Sequence, residues 1–327
     1  MKMGRTLRWL GVLLALLQLG DGLAQSGRRF GGAGLGGEMR AARGGAQSGG
    51  DAEAQADPAD EARQDEAPLE TRPRLPGEVG LEFLSERLRC GIGRPPDCDI
   101  AEAQERGLLE TGLRPQFPAG LRCPEIDEGW AIAYSGKRGR EQYHGGIDLP
   151  APWGTPIRAA ADGVVVGRYE GMDSYRGREL ILRHRPEDTG LPFFLYTQYA
   201  HFASLPPLQV GEAVKRGQVL GPTGNSGIGR HGAPSQRRRP ALHFAAWMSP
   251  VGEYIPLRGK VIPLEAVWLD PVALYLPAAV TARASRQLQA LPESAKTVPV
   301  AVMREDGTLF PADARLIWPY TCRAEAQ

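Results

Sequence analysis

The chain has 327 residues, enough for one large domain or two smaller ones. Its 39 basic and 38 acidic residues leave a net charge of +1, so no overall electrostatic field attracts it to nucleic acid or to acidic membrane surfaces. A hydrophobic content of 42% supports a folded core and argues against a protein with many membrane spans.

The first residues have the layout of a secretory signal. Three basic residues precede the apolar run 9–19, and residues 22–24 place small side chains at the positions that a signal peptidase reads. This run is too short to span a bilayer comfortably. We therefore predict a cleaved signal peptide over residues 1–24, a periplasmic or secreted protein, and no stable membrane span. An uncleaved anchor is the alternative.

Residues 25–76 differ in composition from the rest of the chain. Their first half is rich in Gly, Ala and Arg, and residues 51–70 contain eight acids and one arginine. Neither half has the apolar periodicity that would bury enough surface to offset the loss of chain entropy. This composition predicts a disordered tether.

The four cysteines indicate disulfides, because an exported protein folds in an oxidising compartment. Four cysteines allow three pairings, and we predict that the close pair Cys90–Cys98 and the distant pair Cys123–Cys322 form. A zinc cluster is the alternative, although the sequence contains no CxxC pair.

Residues 77–125 are predicted to form a small helical segment that a disulfide staples. Leu81, Leu84 and Leu88 fall on one helical stripe, and residues 100–109 suit a second short helix. Glycines and prolines between them predict a loop that the Cys90–Cys98 bridge closes.

From residue 126 the pattern becomes that of β-strands. Short apolar runs at 163–166, 180–184, 193–202 and 242–247 alternate with Gly- and Pro-rich connections, which predicts a mainly β fold built of antiparallel sheet. In the C-terminal extension, residues 277–327, we predict a helix over 282–291 and a hairpin over 298–309 around Asp306-Gly307.

The sequence contains no HExxH or GxSxG motif, so the candidate catalytic and metal-ligating residues are sought among its five histidines. His144 and Asp148 lie on either side of Gly145-Gly146. A flexible glycine pair allows one imidazole and one carboxylate to face one point. Catalytic zinc sites use three such N or O ligands and leave the fourth position to water.

An ordered series of motifs surrounds this pair. The series resembles the lysostaphin/LytM-type zinc endopeptidases of bacterial cell walls, and the resemblance covers residues 126–276. The motifs are YHGGID at 143–148, GTPIRAAADGVV at 154–165, YAHF at 199–202, VGEAVKRGQVLG at 210–221, GNSG at 224–227, LHF at 242–244 and LDPV at 269–272.

The resemblance implies a LytM-type peptidase core with a bound Zn²⁺ ion. It implies that His144, Asp148 and His243 are the metal ligands. His201 matches a catalytic histidine that faces the metal-bound water and the substrate. His184 is expected to be structural, and Tyr199 to lie in the core or the groove wall.

One residue departs from the family pattern. The family has His-x-His where this chain has Ala241-Leu242-His243. Positions two apart in a strand face the same side, so the family's two histidines both reach the metal site and here one is missing. A positioned acid or base contributes about 100- to 10,000-fold to the rate. Weak or lost turnover is therefore expected, unless His231, in the insertion 230–239, substitutes.

Two functions follow from this sequence. The leading prediction is an exported zinc metalloendopeptidase that cleaves the peptide cross-links of peptidoglycan, with peptide stems as substrate. The alternative, favoured by Ala241, is a catalytically weak or inactive LytM-type module that binds and regulates a cell-wall amidase or other hydrolase. The run Gln236-Arg237-Arg238-Arg239 is either a solvated loop or a contact for peptide carboxylates.

Overall fold

The computed structural model describes residues 73–124, 126, 133, 143–172, 174–228, 238–277, 280 and 283–325. They lie in one compact unit, residues 67–327. The predicted signal peptide, nearly all of the predicted tether and His231 are outside the described residues. Among the helices that are described, none has the length and apolar character needed to cross a bilayer.

Short strands make up most of the regular structure, numbered here in chain order. They are β1 (Arg114–Gln116), β2 (Leu121–Arg122), β3 (Ile147–Pro150), β4 (Pro156–Arg158), β5 (Gly163–Gly171), β6 (Gly177–His184), β7 (Phe194–Ala200), β8 (Ala213–Val214), β9 (Val219–Pro222), β10 (Ala241–Ser249), β11 (Tyr254–Leu257), β12 (Lys260–Pro263), β13 (Val267–Leu269), β14 (Thr297–Pro299), β15 (Val302–Arg304), β16 (Leu309–Phe310) and β17 (Thr321–Ala324).

The helices are short. They are a 3₁₀ turn at Leu81–Phe83, α1 (Glu86–Leu88), a π-turn at Arg89–Gly93, α2 (Ile100–Glu105), α3 (Pro186–Thr189), a 3₁₀ turn at Pro271–Tyr275, α4 (Ser285–Gln289) and a 3₁₀ turn at Glu293–Ala295.

The main sheet has seven strands in the order β13-β10-β7-β6-β5-β8, with β3 paired to β10. All its pairings are antiparallel. Strand β10 is buried along nearly its whole length, as expected for an apolar strand with neighbours on both edges and packing on both faces. The predicted mainly β, antiparallel fold is confirmed.

The helical N-terminal segment differs from its prediction. Leu81 is 64% exposed, so Leu81, Leu84 and Leu88 do not form one buried stripe. Leu84 has an extended backbone, and the Ser85 side chain accepts a hydrogen bond from the Leu88 backbone N–H. Ser85 therefore starts a new helix and ends the stripe. The second helix, α2, forms within the predicted range but ends at Glu105.

The segments before and after the main sheet are joined to each other. Strand β1 pairs with β14, and β2 pairs with β17. The disulfides are those predicted, Cys90–Cys98 and Cys123–Cys322, and no cysteine is free. The second bridge therefore ties the end of the chain to the start of the peptidase-like segment.

The predicted C-terminal hairpin is confirmed in part. Strands β15 and β16 pair antiparallel across the turn that contains Asp306-Gly307. The predicted hairpin began at Val298, but this residue lies in β14, which pairs in parallel with Pro115 of β1. A partner about 180 positions earlier leaves no local signal in the sequence.

A buried acid links the N-terminal segment to the end of the core. The Asp270 side chain, 1% exposed, accepts a hydrogen bond from the Val272 backbone N–H and another from the Thr111 hydroxyl. Burial raises the pKa of Asp270 to about 7. The folded chain therefore binds this proton more tightly than the unfolded chain does.

We expect this carboxyl to make stability depend on pH. Its contribution to the free energy of unfolding is about 4 kcal/mol at most. This contribution is fully present below about pH 4 and is lost as the pH rises through about 7. Asp270→Asn keeps a neutral side chain of the same shape, so urea unfolding should show the variant gaining stability relative to the parent between pH 4 and 8. Equal pH dependence in both proteins would contradict this account.

Asp188 provides the matched control. Burial alone would raise the pKa of this carboxyl, but hydrogen bonds from Arg185 lower it. Its stabilising contribution is therefore present at neutral pH and is lost on acidification. Asp188→Asn should shift the pH dependence in the direction opposite to that of Asp270→Asn.

Candidate metal centre

The loop that enters β3 needs both of its glycines. Gly145 has a φ of +67°, a backbone angle that residues other than glycine rarely adopt. A Cβ on Gly146 would lie 2.4 Å from the His243 ring. The glycine pair thus lets the chain turn from His144 into β3 while its backbone passes directly against the His243 imidazole on β10.

Pairing between β3 and β10 brings the three predicted ligands together. His243 lies opposite Asp148 in the register of these strands, and His144 lies four residues before Asp148. The Nε2 atom of His144, the Oδ1 atom of Asp148 and the Nδ1 atom of His243 are each 3.0 Å from the other two. The side chains of His144 and Asp148 are each 8% exposed, and that of His243 is 1% exposed.

This triangle fits a metal ion better than it fits hydrogen bonds. Both ring nitrogens can donate to the Asp148 oxygen, but they then place two N–H groups against each other at 3.0 Å. A cation that the three atoms share removes this conflict. Two imidazole nitrogens and one carboxylate oxygen are also the donor types found in catalytic zinc sites.

Charge at the triad favours ligation. Burial alone would raise the pKa of Asp148, but the charge of His144 and hydrogen bonds from both histidines outweigh it and hold the pKa well below its usual value. Burial, followed by the charge of Arg176, lowers the pKa of His243 well below its usual value. At neutral pH the site therefore offers a carboxylate and a neutral imidazole, the forms that bind metal.

His201 follows β7 and lies beside the triad. Its ring centroid is 5.8 Å from that of His243, and the residue is 1% exposed. Its φ of +71° is unusual for a residue with a side chain, and such strain is concentrated at functional sites. Nδ1 lies 2.9 Å from the Ser226 carbonyl oxygen, so Nδ1 carries the proton and Nε2 is the acceptor.

The electrostatic environment keeps His201 neutral. Burial, followed by the charge of Arg238, lowers the pKa of His201 well below its usual value. The Arg238 Nη1 atom lies 3.3 Å from His201 Nδ1. Part of the predicted arginine run therefore reaches the site, while Gln236 and Arg237 are outside the described residues.

The remaining sequence-predicted residues occupy distinct places. His184 is fully buried away from the triad, with its nitrogens 2.6 Å from the Asp162 carbonyl oxygen and 2.8 Å from the Thr197 hydroxyl. Tyr199 is buried in the core and accepts a hydrogen bond from the Ala160 N–H. Ala241 lies on β10 and pairs with Pro150 of β3. Because it is two positions from His243, it faces the same side of the sheet as His243.

Comparison with known proteins identifies the segment that carries this geometry. Residues 142–253 match the family model described as Peptidase family M23. The chain contains a peptidase M23 domain. The match includes His144, Asp148, His201 and His243, so all four side chains described above lie inside the M23 domain.

Relatives that match this chain are peptidases by name. The DD-carboxypeptidase/endopeptidase Mpg of Neisseria meningitidis serogroup B is 29% identical over 189 residues, 58% of this chain and 35% of the relative. The peptidoglycan DD-endopeptidase ShyC of Vibrio cholerae is 35% identical over 89 residues, 27% of this chain and 18% of the relative. The chain thus spans about a third or less of the length of these relatives.

Among solved structures, the catalytic domain of the prophage-encoded M23 protein EnpA from Enterococcus faecalis is 25% identical. The match covers 43% of this chain and 92% of that chain, with a TM-score of 0.29.

Two arginines at the M23 site were missed by the sequence analysis. Arg176 precedes β6, and its Nη2 donates to the His144 carbonyl oxygen at 3.1 Å while its Nη1 contacts His243 Nε2. Arg94 donates to the Tyr143 carbonyl oxygen at 3.0 Å and stacks over the Trp268 ring at 4.7 Å. Neither arginine lies in a sequence motif or spacing that would identify it as a residue of the site.

Proposed function

We propose that this protein is an exported zinc metalloendopeptidase that cleaves peptide cross-links of peptidoglycan. The observation that carries the proposal is the triangle of His144, Asp148 and His243 donor atoms, 3.0 Å apart, within an M23 domain. Export to the periplasm or the medium is supported by the two disulfides, because such bonds persist in oxidising compartments.

The residues of the chain divide the chemistry among them. His144, Asp148 and His243 would hold the ion, which when bound polarises a carbonyl and lowers the pKa of water. His201 is neutral, and its Nε2 is the acceptor, so it is suited to orient water or to take a proton during attack on the peptide. Arg94 donates a hydrogen bond to the carbonyl oxygen of Tyr143 and so holds the backbone directly before His144.

The test is digestion of purified peptidoglycan by the mature, zinc-loaded protein, with released fragments identified by mass spectrometry. We expect fragments that arise from cleavage of peptide cross-links, and their release should stop when a chelator removes the metal and resume when zinc is restored. Metal analysis should give about one zinc per chain. A zinc-loaded protein that releases no peptide fragments would contradict the proposal.

The alternative of a regulatory module rests on Ala241, which replaces the first histidine of the family's His-x-His. A hydrolase partner for such a module gains no support from the comparisons. The alternative therefore enters as the outcome that remains if every zinc-loaded form of the protein is inactive.

A further inference from the structure

The loop that the Cys90–Cys98 disulfide closes lies against the segment that carries His144. Arg94 lies at the middle of this loop and is half-buried. Its Nη1 donates a hydrogen bond to the Tyr143 carbonyl oxygen at 3.0 Å. The loop precedes the residues that match the M23 family, so the chain supports its metal centre from outside the M23 domain.

The backbone after His144 passes between two groups of side chains. A Cβ on Gly145 would lie 2.6 Å from Arg94 Nη2 and 3.0 Å from the Trp268 ring. The His243 ring lies equally close to the next residue along the chain. The guanidinium and the indole therefore close one side of this backbone, and the second histidine of the triad closes the other.

Trp268 ties the loop to the main sheet. Its Nε1 donates to the Gly91 carbonyl oxygen at 2.8 Å, and the Arg94 guanidinium stacks over its ring at 4.7 Å. Trp268 lies on β13, opposite Trp247 of β10. Strand β10 also carries His243. The same two strands thus position one proposed ligand directly and the other through Arg94.

The loop holds the backbone of Arg94 in one conformation. Arg94 has a φ of +48°, which is uncommon for a residue with a side chain. Its N–H donates to the Arg89 carbonyl oxygen at 3.1 Å, and the Arg89 side chain pairs with Glu86 and Asp97. These contacts and the disulfide hold the guanidinium in place, which reduces the entropy lost when it binds the carbonyl.

The charge of Arg94 and its position have opposite effects on a metal ion. Burial, followed by the charge of Arg176, lowers the pKa of Arg94 to about 9, so the guanidinium is still charged at neutral pH and repels a cation. The Tyr143 carbonyl oxygen and the indole face that it contacts are both partly negative and offset some of this repulsion. The sign of the effect of a substitution therefore shows which of the two dominates.

We propose that Arg94 is a positioning residue that raises the affinity of the M23 site for zinc by holding the backbone directly before His144. The inference rests on the metal-binding part of the proposed function. Arg94 acts through the Tyr143 carbonyl and not on the ion itself. Groups that support a metal ligand typically contribute about 10- to 100-fold to affinity, and a group that acts through the backbone should lie at the lower end.

The zinc affinity of the mature protein measures this role without any assay of cleavage. The probe is zinc alone, in competition with a chromophoric chelator. Arg94→Met removes the donor and keeps a long side chain against Trp268, and we expect zinc binding about 10-fold weaker. Arg94→Lys keeps a donor and the charge, so its affinity should lie between those of Arg94→Met and the parent. Removal of a repulsive charge cannot produce this order.

Arg106→Met is the matched control. Arg106 also lies in the N-terminal segment and donates to a backbone carbonyl, that of Ala266 at 3.0 Å, but this carbonyl precedes β13 and is not next to a ligand. The substitution should lower the free energy of unfolding and leave zinc affinity unchanged. Unfolding of every variant is measured without metal, so that lost stability is separated from lost affinity.

The disulfide offers a second route that leaves Arg94 in place. Replacing Cys90 and Cys98 together by serine should weaken zinc binding in the same direction and by no more than Arg94→Met does. In the Arg94→Met background the same pair of changes should have no further effect, because the loop would then hold no guanidinium. If Arg94→Met does not fold, the cysteine pair and Arg94→Lys still test the inference.

Two results would overturn the inference. Equal or tighter zinc binding by folded Arg94→Met would show that the charge of the guanidinium outweighs its position. Equal losses of affinity in Arg94→Met and Arg106→Met would show that any weakening of the N-terminal segment has the same effect. A parent protein that binds no zinc would overturn the ligand assignment of the proposed function as well, so the two failures are distinguishable.

Discussion

Replacing His243 by alanine should remove the metal and with it all cleavage of peptidoglycan. The substitution deletes one of three donor atoms that lie 3.0 Å apart and leaves His144 and Asp148 as an incomplete pair. Even residues that only support a metal ligand typically contribute 10- to 100-fold to affinity, so loss of a ligand should cost more than about 100-fold. Elemental analysis should show zinc falling from about one per chain to a trace.

His184→Asn is the matched control, because His184 is also a fully buried histidine of the main sheet. Its nitrogens lie against the Asp162 carbonyl and the Thr197 hydroxyl, away from the triad. This variant should lose stability and keep its zinc. Circular dichroism establishes that both variants are folded, and stoichiometric zinc in a folded His243→Ala protein would refute the ligand assignment.

Sequence patterns predicted those features that local rules determine. Runs of apolar residues located β5, β6, β7 and β10, since each strand buries at least three consecutive residues. The period-two geometry of a strand predicts that Ala241 and His243 lie on one face. The motif spacing indicated which three side chains would meet, and the pairing of β3 with β10 brings them together. Their roles as ligands remain predictions.

Features that depend on distant partners were not predictable. Arg176 stands alone in a turn, and only the pairing of β3 with β10 places both histidine ligands against it. Arg94 reaches the site because the N-terminal segment packs on Trp268 of β13, more than 170 positions later. The parallel pairing of β1 with β14 is of the same kind. In each case the interaction that determines the structure joins residues that carry no shared local pattern.

Restoring a histidine at position 241 is expected to have the second large effect on cleavage. Ala241→His should raise cross-link cleavage by about 10- to 1000-fold, the contribution of one acid or base discounted for imperfect fit. The new imidazole would lie on the same strand face as His243, next to Pro150 of β3. The assay is release of cross-link fragments from purified peptidoglycan by zinc-loaded proteins, at equal zinc content.

Two further variants identify what the new imidazole does. Ala241→Gln adds a polar side chain of similar size that cannot exchange a proton near neutral pH, so it should give no increase. His201→Ala should abolish the activity of the parent, because it removes the neutral imidazole beside the triad. An active parent that His201→Ala leaves unchanged would make His231 the next candidate. If parent, Ala241→His and His201→Ala are all inactive with zinc bound, the enzyme proposal is rejected and a binding module remains.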